Sequence, residues 1–343
     1  MHNRKTLEEI SILRPIIVFG IIVMHSFTKI HRAWGGQNND SFIDWSWFSF
    51  SLDSFIVAAF VFVSGYLYSF QCLNGKRREF AEFARLKSKR LLLPYLLFGL
   101  LFFFSFRFFN QDFDWCTWIQ SPWPFGHLWF LPMLFWVYLF LWGAEKYVLN
   151  RKAQLALLVA LSLISMNPWS RNMPCSILGF SEVTYYIFYG YIGFEVYKKR
   201  ESIKRFVSPI LVFFTWMSFI TVLFFYKTLL IPSADAGELI SKIVCLPVQQ
   251  ISACLGIAAT YLTCMLYHKS GLSATLANKL GKYCFAIYII HYCVLLFLYD
   301  HHIGVGYIGI RVYPYVIGIL TVTIVSLCLA FIMKKIKPLG NII

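Results

Sequence analysis

Two histidines, His25 and His291, stand inside stretches that otherwise read as membrane-spanning helices. Imidazole takes or gives a proton near neutral pH. An ionisable group in hydrocarbon costs roughly 2.5–3.5 kcal/mol on insertion scales, so the few that occur mark substrate paths, proton relays or bundle contacts. Arg14 precedes His25 by eleven residues. At helical pitch that spacing returns His25 to within about 20° of Arg14, roughly 16 Å further along the axis. A cation at the mouth of a polar stripe suits an anionic reagent that enters from one side and reaches inward to an imidazole. The plainer alternative is an Arg14 that snorkels to lipid phosphate and a His25 packed against a neighbouring carbonyl.

His291 lies nine residues past Lys282, about 14 Å along the same helix, so both histidines fall at similar depth. Tyr288 sits one turn before His291 on the same face, placed to hydrogen-bond it or a substrate. A helix–helix hydrogen bond that binds the bundle together is the competing role. Asp53, a carboxylate inside an early span, could orient His25 as a buried acid fixes a histidine tautomer in hydrolytic triads; otherwise it faces outer water. The run from Arg85 to Arg90 holds four cations where the chain enters the membrane. It reads either as a phosphate site or as topological anchoring. Pro124 and Pro132 flank Gly126-His127-Leu128-Trp129. A helix broken on both sides there gives either a substrate-facing turn bearing His127 and Trp129 or an interfacial anchor.

The elements that must hold these groups follow from composition. Of the 343 residues, 59% are hydrophobic and 14% charged, where soluble domains run nearer half and a quarter. Apolar runs of about 18–22 residues recur, long enough for a hydrocarbon core of roughly 30 Å. The chain is therefore expected to be all-α, a polytopic integral membrane protein of about ten transmembrane helices. The expected spans are residues 10–30, 48–70, 91–109, 128–148, 153–168, 182–197, 206–226, 241–267, 280–299 and 313–333. Spans 5 and 6 are short and carry polar residues near their ends. Of the 31 lysines and arginines, only Lys29, Arg32, Arg107, Arg171, Lys227, Lys242 and Arg311 fall on one side of that arrangement. The rest lie on the side of both termini, which makes the N- and C-termini cytoplasmic. The net charge of +15 thus expresses topology rather than a nucleic-acid footprint.

The polar start, Met1 to Glu9, leads into span 1 without a small-residue cleavage site, so no cleavable signal peptide is expected. The nine cysteines show no metal-ligand spacing, and no metal is expected. Cys116 and Cys175 fall in outer loops, where a disulfide between them stays open. No soluble domain is expected, so residues 1–343 read as a single membrane-embedded domain. The two halves share no repeat of the inverted kind many transporters use.

Taken in order, the motifs resemble the integral-membrane acyltransferase 3 family. They are Arg14-x10-His25, FVSGYL at 62–67, the basic run into LLLPY at 91–95, GHLWFLP at 126–132, YYIFYGYIGF at 185–194 and FAIYIIH at 285–291. The resemblance implies transfer of an acyl group, usually acetyl or succinyl, from cytoplasmic acyl-CoA to a sugar hydroxyl outside or at the membrane. It implies that His25 is catalytic, as general base or acyl carrier; Tyr288, His291 and Asp53 are its candidate companions on the helical positions read above. It implies that Arg14 supports the donor. The family's pair of arginines three apart falls here on Lys87 and Arg90, which with Arg14 are expected to dock the phosphates of acyl-CoA; lysine keeps the charge but loses the bidentate fork. The esterase-like domain many members append is not expected here.

Acyl-CoA is thus the expected donor, a glycan or lipid-linked sugar the acceptor, and the bilayer of a bacterial inner membrane the setting; a homo-oligomer stays open. Two other functions remain on the residues alone: a glycan exporter whose histidines relay protons, and a scaffold subunit that needs none of the intramembrane polar groups.

Overall fold

The computed structural model describes residues 7–33, 46–109, 126–147, 150–165, 180–232, 239–271, 274–300, 313–337 and 340. Cys116, Cys175 and Pro124 lie outside the described residues. Among those described, every regular element is a helix. In chain order they are α1 (Glu8–Ala33), α2 (Ser46–Asp53), α3 (Ile56–Leu73), α4 (Phe80–Lys87), α5 (Leu93–Phe109), α6 (Phe130–Tyr147) and α7 (Arg151–Ser165). Then come α8 (Phe180–Lys198), α9 (Arg200–Phe206), α10 (Pro209–Phe225), α11 (Leu239–Lys269), α12 (Thr275–Gly281), α13 (Cys284–Asp300) and α14 (Tyr313–Lys335). Wider π-helical turns join α4 to α5 (Ser88–Leu92) and extend α10 (Tyr226–Leu230), and a 3₁₀ turn, Gly126–Trp129, opens α6.

Each of the ten expected spans contains a helix, but they are not ten equal spans. Among the described residues, six stretches are long and apolar enough to cross a membrane: Glu8–Phe27, Trp47–Leu73, His127–Tyr147, Pro209–Leu230, Ile243–Lys269 and Ile317–Lys335. With the family assignment below, they make this a multi-pass membrane protein. The ninth expected span is a bent pair, α12 turning by 66° into α13. It counts as a seventh only when its two parts are taken together. α5 and α7 are short, with 17 and 15 residues, and α8 carries Glu182 and Glu195. Pro132 does not break its helix. It sits in the first turn of α6, where its missing N–H has no intrahelical partner to lose. The second expected span is interrupted at Ser54–Phe55, between α2 and α3. There the Ser51 and Ser54 hydroxyls donate to the carbonyls of Phe48 and Ser51 at 2.8 and 2.7 Å.

The chain divides into two compact units: Met1–Phe60 with Ser202–Gly340, and Val61–Glu201 with the last three residues. In the first, α1 is the hub. It packs against α2, α11, α12, α13 and α14, and among its side chains described only Ile16 and Phe19 are exposed. A helix apolar all round is a buried helix, and the run Ile16-Ile17-Val18-Phe19-Gly20-Ile21-Ile22-Val23-Met24 meets that requirement. α10 is the opposite case: Ile210, Phe213, Phe214, Ile220 and Phe224 all point outward, as suits a helix whose solvent is lipid.

In the second unit α3 and α8 cross with their backbones nearly touching. A Cβ at Gly65 would overlap the Gly190 carbonyl, and one at Gly193 would overlap that of Phe62. Small residues at such crossings let dispersion and weak backbone contacts hold helices together where lipid removes the hydrophobic drive. The segment after α3 is tied to the end of α6 by Arg77–Glu145 at 3.3 Å, Lys146–Glu79 at 3.6 Å and a Trp142 Nε1–H bond to the Arg78 carbonyl at 3.0 Å. Arg78 also pairs with Glu82.

Gly65→Ala or Gly193→Ala is expected to destabilise the protein by about 1–3 kcal/mol, the usual range for overpacking. Gly143→Ala, in α6 with nothing within 4 Å of the added methyl, should be neutral or stabilising by about 0.5–1 kcal/mol. Thermal unfolding of the three variants in one detergent reads the contrast.

Candidate active site

The site of the first unit is built where α1 lies against α13. Gly281 comes close to the Ser11 carbonyl, a group that Pro15 leaves without its helical donor. Arg14 lies near enough to Cys284 to act on it electrostatically. Further along, the His25 and His291 rings face each other with centroids 5.5 Å apart and planes tilted by 31°. Numbers rise together on both helices, so α1 and α13 run in the same direction. Arg14 and His25 therefore sit at two levels of one shared face, as the eleven-residue spacing requires.

His291 is 1% exposed and Tyr288 6%, whereas His25 is half-buried. The His291 Nδ1 stands 2.7 Å from the Tyr288 carbonyl and 3.2 Å from that of Ile287. A carbonyl only accepts, so Nδ1 carries the proton and donates. In the neutral ring Nε2 is then the nitrogen with the lone pair. The imidazole is thus fixed in tautomer and tilt by its own helix. The Tyr288 ring lies 6.0 Å from His291 and 6.0 Å from Phe60. Tyr292 adds an edge-on contact to His25 at 5.1 Å.

Asp53 is not brought to His25. α2 runs antiparallel along α1: Phe48 packs on Phe27 at 5.4 Å, the Ser49 hydroxyl reaches the Met24 carbonyl at 3.5 Å, and Leu52 and Ile56 face Gly20. Asp53 ends α2 about 6 Å below Ser49 and its side chain is exposed. Its neighbours Leu52 and Ile56 take the face toward α1.

The remaining sequence candidates belong to the second unit. Lys87, the last residue of α4, points inward at 9% exposure, its ammonium 3.3 Å from the centroid of the Tyr138 ring. Burial pushes that ammonium below the ordinary lysine range, and Tyr138 opposes the shift. Arg90, three residues on in the π-helical turn, is exposed. His127 is buried, its ring 6.0 Å from Phe102. Trp129 meets Tyr186 at 5.8 Å, next to a cluster in which Tyr189 donates to Tyr185 at 3.1 Å.

Three participants escaped the sequence reading. Tyr292 and Cys284 follow from the pitch of α13 relative to His291, a signal that was present. Tyr138 carries none, since a tyrosine in an apolar helix is ordinary.

The family model of the acyltransferase 3 domain matches residues 7–335, which takes in both units and every candidate residue above. The chain belongs to that family, and it is a membrane acyltransferase. No curated protein and no solved structure matches it.

Because its carboxylate stands away from the imidazoles, Asp53→Asn is expected to keep the rate of acyl transfer within about tenfold of wild type. Loss of a carboxylate that orients a catalytic histidine costs about 10⁴. Initial rates with saturating donor distinguish the two.

Proposed function

We propose that this chain is an O-acyltransferase that moves an acyl group, in the first instance acetyl, from cytoplasmic acyl-CoA to a hydroxyl of a surface glycan or lipid-linked sugar. The observation that carries the reading is the facing pair of imidazoles, His25 and His291, two levels above Arg14 on the α1–α13 face. A proton acceptor lies inside the bilayer with a cation on the approach to it. In an acyltransferase that combination serves a donor whose phosphates are anionic and whose thioester is uncharged.

Two routes balance chemically. In the first, His25 takes the proton of the acceptor hydroxyl as its oxygen attacks the thioester carbonyl. The C–S bond breaks, and the proton passes to the departing thiolate. In the second, the His25 nitrogen itself displaces the thiolate, and the hydroxyl then attacks the acyl-imidazole, returning the proton to the ring. In both, His291 receives a hydrogen bond at Nε2 and Tyr288 holds its ring in place. Trp129 and His127 are the acceptor-side residues of the second unit. No metal enters either route.

The ten expected spans are taken as ten passes, with the bent α12–α13 pair as the ninth and both termini cytoplasmic. That topology rests on the basic residues gathered on one side. A bacterial inner membrane is the setting that matches a cytoplasmic donor and a surface acceptor.

Purified protein in detergent should release CoA from acetyl-CoA. His25→Ala should lower that rate by about 10²–10⁴, the worth of a positioned base, while eluting as wild type does on gel filtration. A His25→Ala protein that keeps the full rate sinks the assignment. Mass spectrometry of the host's surface polysaccharides with and without the gene then reads the acceptor from the lost acyl mass.

A further inference from the structure

The Lys87-x2-Arg90 pair divides its labour. We infer that Arg90 alone meets the donor's phosphate in the second unit, and that Lys87 is a positioning residue that locks the turn presenting Arg90 by seating its ammonium on Tyr138. This rests on the acyl-CoA reading above and extends it to two residues with different roles, one of them, Tyr138, drawn in from another helix.

The geometry is specific. The Lys87 ammonium is sandwiched against two rings, 3.3 Å from the Tyr138 centroid and 5.3 Å from that of Phe83. Phe83 is one turn earlier on α4 and buried. Tyr138 is buried in α6. Tyr68, of α3, closes the group, at 6.2 Å from Tyr138 and 5.3 Å from Phe83. Lys87 thus joins α4 to α6 and α3 through one cation. A desolvated ammonium over a tyrosine face holds more strongly than an exposed one.

The turn that follows is the reason for the lock. Lys87 is the residue before the π-helical turn Ser88–Leu92. A π-helical turn carries one residue too many for the regular ladder and is seldom stable without outside support. Leu91 is buried on its inner side while Lys89 and Arg90 are exposed. Fixing Lys87 inward and Leu91 inward leaves Arg90 outward at a set angle. A guanidinium there has the planar fork that grips phosphate bidentately. A lysine held over an aromatic ring has its charge turned away from any ligand at the surface.

The test is the pattern of donor KM in steady-state CoA release by the full-length protein, with acetyl-CoA as probe. Arg90→Met should raise KM by about 10- to 100-fold, the cost of a charge-assisted contact. Lys87→Met should raise it about 5- to 30-fold, the reach of a desolvated cation–π contact, with kcat little changed. The double variant should be no worse than Arg90→Met alone, because without Arg90 there is nothing left to position. Tyr138→Leu should match Lys87→Met and add nothing to it, while Lys87→Arg, which can stack on the same ring, should restore most of the loss.

Multiplicative effects of Lys87→Met and Arg90→Met would put both cations on the donor and overturn the inference. So would a Tyr138→Phe/Lys87→Met pair and a Tyr138→Leu/Lys87→Met pair that are both simply additive. Should Tyr138→Leu fail to fold, the Lys87→Met/Arg90→Met pair decides alone. Wild-type protein that shows no turnover of acetyl-CoA at all refutes the donor reading first, and this inference with it.

Discussion

Two imidazoles meeting inside an apolar bundle constrain the rest of the first unit. Hydrocarbon tolerates such groups only when their hydrogen-bonding atoms are spoken for or open to a polar partner. His291 meets half of that demand locally, by donating to carbonyls of its own helix. The other half falls to its neighbours. His25 must approach within 5.5 Å, which requires α1 to be central, nearly apolar throughout and parallel to α13. Gly20, against which Ile56 and Leu52 pack, lets α2 and α3 close on α1 without pushing it away. The hub position of α1 is therefore tied to the chemistry it carries.

The second unit solves a different problem by different means. Its helices are held by backbone approach at Gly65, Gly190 and Gly193, by ion pairs at one end and by a cation seated among aromatic rings. None of these draws on apolar burial in the way a soluble core does, because lipid is as apolar as leucine. Close glycine contacts give little tolerance for added volume but fix the helix crossing firmly. Turns such as Ser88–Leu92 can then be supported at defined angles instead of relaxing into a regular helix.

Much of this was legible in the residues. Length and hydropathy are read without knowing the fold, and each of the ten expected spans contains a helix, six of the described stretches being long and apolar enough to cross a membrane. The shared face of Arg14 and His25, and the pairing of Tyr288 with His291, followed from helical pitch. Pitch fails where the helix itself changes. The break at Ser54–Phe55 separates Asp53 from the regular ladder. The π-helical turn after Lys87 alters the angle between Lys87 and Arg90, so three-residue spacing no longer means a common face. The 66° bend before Cys284 divides what reads as one apolar run. Tyr138 could not be chosen from the sequence, since only its partners distinguish it from the other buried tyrosines.

Both proposed routes ask His291 to accept a hydrogen bond at Nε2, and its tautomer sets the polarity of the pair. With Nδ1–H held by carbonyls, Nε2 can only accept unless the whole ring becomes charged. In the routes proposed above, an accept-only His291 favours the His25 tautomer that points an N–H toward it, with the remote His25 nitrogen as the proposed nucleophile or base. That is the same polarity a carboxylate imposes on a catalytic histidine, obtained here from a neutral ring and a backbone carbonyl. In the proposed routes this polarity removes the need for a buried acid, and Asp53, the carboxylate of the second expected span, stands exposed at the end of α2.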